Sequence, residues 1–266
     1  MTDINRLSVD GSEVQYQIAG EGPVVLFVPS PGFGGWQWAW QFQEIAGPYR
    51  AVTYLPSGTR DSDSELRSIQ QTTYHIERLL KEENVRHVQL LGFGLGSLVA
   101  LEYAKRYNRA QSLLLISTPN SPLEEYFDAM RTYAVTANNR DQTAAVTTEL
   151  TSISFKQQSP QSFDQLVEWR MQEDPEPSGW ANISAVLDDY SRDWPLYEMT
   201  LPTQVLRGTN DPIVGKSETV DLTDNLPRGM RTDIKSSGHL PMVERASTVN
   251  DLIAGHLEEH TTRELE

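Results

Sequence analysis

Apolar positions along the chain follow two rhythms, one of period two and one of period three to four. The segment NRLSVDGSEVQYQIAG alternates as a half-buried strand does, and PVVLFVPS follows as a short continuous apolar run. Together they predict an edge hairpin leading into a buried strand. YRAVTYLPSG predicts another short strand that closes on turn residues. RSIQQTTYHIERLLKEENV sets Ile69, Ile76, Leu79 and Leu80 on one side of a helix, HVQLLGFG is a buried strand, and SLVALEYAKRYN is the next helix. QSLLLISTP, TQVLRGTND and MRTDIKSSGH continue as strands, and TVNDLIAGHLEEH closes the chain as a helix. Strands alternating with helices mean an α/β fold, with a mainly parallel central sheet covered by helices on both faces.

Between Pro119 and Pro202 that alternation stops. EEYFDAMRTYAV, TAAVTTELTSI, QSFDQLVEWRMQ and ISAVLDDYSRDW all have helical spacing, with no strand among them. A block of this length is too long for a loop. It predicts a helical cap over residues 120–201, inserted after the sixth strand, on a core made of residues 1–119 and 202–266.

Composition narrows the chemistry. The chain has 266 residues, no cysteine, and a formal charge of −15 from 37 acidic against 22 basic residues, only five of them lysine. Thiolate nucleophiles, disulfides and thiolate metal sites are excluded, and a surface of this sign repels nucleic acid. Acidic excess with few lysines fits a salt-adapted protein, the plainer alternative being an acidic protein of ordinary habitat. No run reaches the apolar length of a membrane span, and MTDINRLSVDGSEV has no basic start before an apolar block, so a cytoplasmic protein without a membrane partner is expected.

The stretch LLGFGLGSLVALEYA, residues 90 to 104, carries the strongest signal. Gly92, Gly94 and Gly96 supply the small residues of a tight strand-to-helix turn. With Phe93 and Leu95 between them they resemble the G-x-S-x-G nucleophile elbow of the α/β-hydrolase superfamily, except that glycine stands at the nucleophile position. Moving the register to make Ser97 the nucleophile fails, because Val99 falls where a small residue is needed. A dinucleotide-binding fingerprint fails as well, since the G-x-G-x-x-G spacing is absent.

Other landmarks of that superfamily follow in order. LFVPSPGFGGWQWAW is similar to its oxyanion segment, with Pro31 and Gly32 in place of the usual H-G pair. The resemblance implies that the backbone N–H groups of Phe33 and Leu95 face a pocket as oxyanion donors. VTYLPSGTRDSDS resembles the D-x-R-G-x-G-x-S turn, with Ser57 where arginine is usual. LRGTNDPIV and SSGHLPMVER place Asp211 and His239 where the acid and the histidine of the superfamily stand, a pair in which the carboxylate fixes the imidazole tautomer. His75 and His87 read as residues in or near a surface helix and the strand after it, and His256 and His260 as a solvated pair in a polar C-terminal tail. No metal site or cofactor is expected. Trp36, Trp38 and Trp40, with Trp169, Trp180 and Trp194 of the cap, are expected in core packing, some of them lining an apolar pocket with Phe33 and Phe93.

The resemblance implies a hydrolase-type enzyme acting on a small apolar carbonyl or ester-like substrate through a His239–Asp211 base dyad, without a serine nucleophile. Hydroxynitrile lyases and cofactor-free dioxygenases, in which the histidine does proton chemistry, make that role physically reasonable. The alternative is a non-catalytic pseudo-hydrolase holding a small ligand or a protein partner, as in the N-myc downstream regulated family. Hydrolysis by another serine, such as Ser30 or Ser97, requires a geometry that the elbow sequence does not offer.

Overall fold

The computed structural model describes residues 4–55, 66–120, 124–134, 139–188 and 190–261. Its centre is one eight-stranded sheet of β1 (Asn5–Val9), β2 (Ser12–Ala19), β3 (Val24–Val28), β4 (Arg50–Tyr54), β5 (Val88–Phe93), β6 (Ala110–Ile116), β7 (Thr203–Gly208) and β8 (Gly229–Ile234), in the order β1-β2-β4-β3-β5-β6-β7-β8. β1 and β2 form the expected antiparallel hairpin, and β2 pairs antiparallel with β4. Every other pairing is parallel. The sheet is therefore mainly parallel, as the alternation of elements predicts, and β3 and β5 lie at its centre. All six residues of β5 are buried, which accounts for its largely aliphatic sequence.

Helices α1 (Ala39–Ile45), α2 (Ile69–Glu82) and α3 (Leu95–Arg106) follow β3, β4 and β5. The Ser68 side chain caps α2 by accepting from the Gln71 N–H at 3.0 Å, and Ile69, Ile76, Leu79 and Leu80 form its buried face. The turn sequence after β4, including Ser57, lies outside the described residues.

Between β6 and β7 come α4 (Glu124–Ala134), α5 (Arg140–Leu150), α6 (Ile153–Gln158), α7 (Pro160–Glu173) and α8 (Pro177–Asp188). The last differs from expectation. It starts ahead of ISAV and stops before SRDW, whose Trp194 is instead held against α3 by an indole N–H donated to Glu102 at 3.0 Å. After β7 the chain adds α9 (Lys216–Asp224), β8, α10 (Pro241–Glu244) and α11 (Ala246–His260).

α11 corrects the reading of its histidines. His256 is 6% exposed, with Nε2 2.8 Å from the Ser112 hydroxyl on β6 and its ring stacked edge-on against His260. The helix turns His256 onto the sheet together with Val249, Ile253 and Leu257, the i, i+4, i+7, i+8 stripe of a packed helix. No helix among the described residues is long and apolar enough to cross a membrane.

Candidate active site

The site begins at the turn from β5 into α3. A Cβ on Gly92 would lie 2.6 Å from the Ser97 Cα, and one on Gly96 would meet the carbonyl oxygens of Val28 and Pro29, so both positions exclude side chains. Gly94 is different. Its φ of 53° and ψ of −125° give the strained geometry of a residue perched on such a turn, and the nearest neighbours of a Cβ there would be side-chain atoms of Ser30 and Tyr126 rather than backbone. The Ser30 Oγ stands 3.0 Å from that point and the Tyr126 hydroxyl 3.1 Å. With glycine at the position that the resemblance gives to the nucleophile, hydroxyls of two side chains from elsewhere in the chain stand over the turn.

Two loops bring Asp211 and His239 together. Asp211 follows β7, and its Oδ1 accepts the backbone N–H groups of Ile213 at 2.9 Å and Val214 at 3.0 Å. The His239 Nδ1 lies 3.0 and 3.1 Å from the two carboxylate oxygens, and neither side chain is accessible to solvent. Burial by itself would push the Asp211 carboxyl up, but the imidazole and the two N–H donors outweigh it and hold the group below its ordinary range. A carboxylate only accepts, so Nδ1 carries the ring proton and Nε2 presents a lone pair. Among the described residues Nε2 has no hydrogen-bond partner.

The buried Glu244 shapes the histidine loop. Its carboxylate accepts from the N–H groups on either side of His239, Gly238 at 2.8 Å and Leu240 at 3.4 Å, and from Ser152 at 2.7 Å. The His239 N–H itself donates to the Leu150 carbonyl at the end of α5, at 2.9 Å. The helical insert therefore takes part in fixing the imidazole.

The oxyanion segment departs from expectation. The Leu95 N–H donates to the Ser30 Oγ at 3.2 Å, and the Phe33 N–H turns back to the Ser30 carbonyl at 3.4 Å. Neither points into open space. The cause is Gln37, whose amide closes the loop: its Oε1 accepts from the Ser30 N–H at 2.7 Å, and its Nε2 donates to the carbonyls of Ser30, Phe33 and Gly34. α7 grips the same loop from outside, with Asp174 accepting from the Gly34 N–H and the Trp36 indole and Glu173 from the Trp36 N–H. Gly32, at φ 97°, leaves the space that the Trp180 ring fills.

Phe33 and Phe93 pack on each other with ring centroids 5.8 Å apart, and Phe93 lies 5.4 Å from the His239 ring, so they form an apolar wall around the dyad. The tryptophans divide. Trp180 joins that wall at 6.4 Å from Phe33, whereas Trp36, Trp38 and Trp169 line a groove of about 750 Å³ beside β2 and β4, whose lining does not include His239 or Gly94.

Sequence reasoning passed over Tyr126, Gln37 and Glu244. Tyr126 is 3% exposed on α4, and burial, with the charge of Asp211 adding to it, pushes its phenol far above the usual range despite the nearby Ser30 hydroxyl. No local pattern marks a tyrosine in a helical insert as a neighbour of the elbow. Gln37 and Glu244 each carry a faint signal, a polar residue inside an otherwise apolar or turn segment close to a site motif. Among the described residues no group of three or more possible ligands is placed to hold a metal ion.

Known proteins resemble this chain in sequence and in fold. The sequence profile of the alpha/beta hydrolase family matches residues 25–252. A protein of Cronobacter turicensis named "Putative carbamate hydrolase RutD" is 32% identical over 97 residues, 35% of this chain and 36% of that one, so this match spans about a third of the relative. The protein of the same name from Stutzerimonas stutzeri is 25% identical over 264 residues, 92% of this chain and 97% of its own. The enol-lactonase of Burkholderia xenovorans LB400 has a similar structure, with a TM-score of 0.81 at 20% identity over 96% of this chain and 100% of that one.

Proposed function

The chain belongs to the alpha/beta hydrolase family, and from that premise we propose that it hydrolyses a small carbonyl substrate, an ester or a carbamate, by direct attack of water with His239 as the general base. One observation carries the reading: a buried imidazole whose Nδ1 is fixed by Asp211 and whose Nε2 has no partner among the described residues, with its ring 5.4 Å from that of Phe93 in an elbow that has glycine at the nucleophile position. An unpartnered buried nitrogen is costly, and a water or substrate proton is the natural occupant of its lone pair. The carbamate class is supported by the name of the RutD relatives, and the apolar walls of Phe33, Phe93 and Trp180 suit a small uncharged substrate. The pathway has no acyl-enzyme stage.

The test is steady-state and pre-steady-state hydrolysis of p-nitrophenyl acetate and of a p-nitrophenyl carbamate. The native protein should turn over without an initial burst, and His239→Ala should lose about 10²- to 10⁴-fold in rate. Undiminished activity in His239→Ala would remove the base. A second reading has its own support, because the Ser30 hydroxyl already occupies the Leu95 N–H, as it would in a protein that holds a ligand without reacting with it. A native protein that binds a carbamate analogue and turns over neither substrate would favour that reading.

A further inference from the structure

Attack of water on a carbonyl builds negative charge on the carbonyl oxygen, and something in the site must hold it. The backbone donors expected for that task are engaged by Ser30, one at its hydroxyl and one at its carbonyl. A third donor is present. The Tyr126 hydroxyl enters from α4 to within 3.1 Å of the point where a side chain on Gly94 would start, it is buried, and it makes no well-formed hydrogen bond among the described residues. Its ring centroid is 6.2 Å from that of His239, so the two rings are neighbours beside the elbow. A serine at position 94 would compete with the phenol for that space, so the glycine and the tyrosine are complementary.

We infer that Tyr126 is a further catalytic residue, donating its phenolic O–H to the carbonyl oxygen of the substrate at the place where the elbow lacks a side chain. This rests on the water-attack reading above. As the water oxygen bonds to the carbonyl carbon, His239 Nε2 takes a proton from the water and the C=O electron pair moves onto oxygen. Tyr126 holds that oxygen, joined by the Leu95 N–H once the Ser30 hydroxyl turns aside. When the pair returns, the bond to the leaving oxygen or nitrogen breaks and the leaving group takes the proton from His239. One water is consumed, and an acid and an alcohol or amine are formed. The phenol can serve over the whole neutral range, because burial and the nearby Asp211 charge keep it protonated.

The experiment compares native protein, Tyr126→Phe and His239→Ala in p-nitrophenyl acetate hydrolysis, and measures by calorimetry their binding of ethyl methylphosphonate, an anionic mimic of the tetrahedral species. Loss of one oxyanion donor should lower kcat of Tyr126→Phe by about 10²-fold with KM within about threefold of native, and weaken phosphonate binding by about tenfold or more. Native kcat and native phosphonate affinity in Tyr126→Phe would overturn the donor role. If Tyr126→Phe stays at the native level while His239→Ala falls, the donor fails and the base stands. If His239→Ala keeps its rate, the base fails, and the phosphonate comparison alone decides Tyr126. The same comparison decides if no ester is hydrolysed, and failure of the native protein to bind the phosphonate counts against the donor. Should Tyr126→Phe not fold, fluorotyrosine in place of Tyr126 keeps the ring and lowers the phenol pKa. The more acidic phenol is the stronger hydrogen-bond donor, so kcat and phosphonate affinity should shift from their native values, and unchanged values of both overturn the role.

Discussion

The hydroxyl of Ser30 lies 3.2 Å from the backbone nitrogen of Leu95, so the N–H at the start of α3 that is expected to hold an oxyanion already carries a hydroxyl oxygen. Ser30 and Leu95 are 65 residues apart in sequence, and only the side-by-side placement of β3 and β5 makes them neighbours.

Restoring the elbow serine should therefore require two changes. In Gly94→Ser the new Cβ falls 3.0 Å from the Ser30 Oγ and 3.3 Å from its Cβ, closer than comfortable contact. Gly94→Ser with Ser30→Ala should show a burst of p-nitrophenol from p-nitrophenyl acetate, with turnover at least about tenfold above that of Gly94→Ser alone. Any non-glycine residue at φ 53° also adds strain, so Gly94→Ser should lose about 1–3 kcal/mol in urea unfolding. Equal activity in the single and double variants would show that Ser30 is no obstacle.

Gln37 gathers four backbone groups of the loop after β3 with one amide, and it is wholly buried. Gln37→Leu has similar bulk and leaves the Ser30 N–H and the Phe33 and Gly34 carbonyls without that partner. It should cost about 2–4 kcal/mol in chemical denaturation, since each buried orphan is worth about 1–3 kcal/mol and the loop relaxes in part. A loss below about 0.5 kcal/mol, the size of an ordinary surface change, would show that the loop holds its shape without the amide.

His256 makes stability depend on pH. Burial, with the neighbouring His260 adding to it, lowers its pKa to about 4. The folded chain refuses a proton that the unfolded chain accepts below about pH 6.5, so its contribution is complete above that pH and is lost as pH falls from about 6.5 to about 4. The full loss is about 3 kcal/mol, with a flat response below pH 4 from this group. Melting temperatures of native protein and His256→Gln across that window should converge on acidification, whereas parallel curves would assign the acid response elsewhere.

The charge of −15 predicts a response to salt. Self-repulsion among carboxylates is screened as ionic strength rises, and at about 1 M salt the screening length shrinks to about 3 Å. Melting temperature should therefore climb steadily in potassium chloride from dilute buffer to molar concentration. A curve that is flat beyond the first tenths of a molar would mark an acidic protein without salt adaptation.

The sheet, the elbow and the dyad are legible in the sequence because each rests on local chemistry. β5 reads as an apolar run, Gly92 and Gly96 announce a turn too tight for side chains, and Asp211 and His239 each follow a strand in the expected order. What escapes reading depends on contacts between distant segments. Tyr126 reaches Gly94 from another layer of the fold, and the donors at Phe33 and Leu95 are taken by Ser30, a serine that looks like ordinary turn punctuation. His256 misleads because Glu258, Glu259 and His260 follow closely and make the end of the chain look polar, while the helix turns it towards Ser112.

The elbow also says something about reversibility. Its backbone still has the shape that suits a serine, and the two flanking glycines keep it so. What stands in the way is a pair of hydroxyls, one from the loop after β3 and one from α4. A single substitution at position 94 meets a crowded site and brings strain without reward, so the detour through Ser30 acts as a ratchet. Placing a serine nucleophile in this arrangement takes more than one coordinated substitution, the first of which offers nothing by itself.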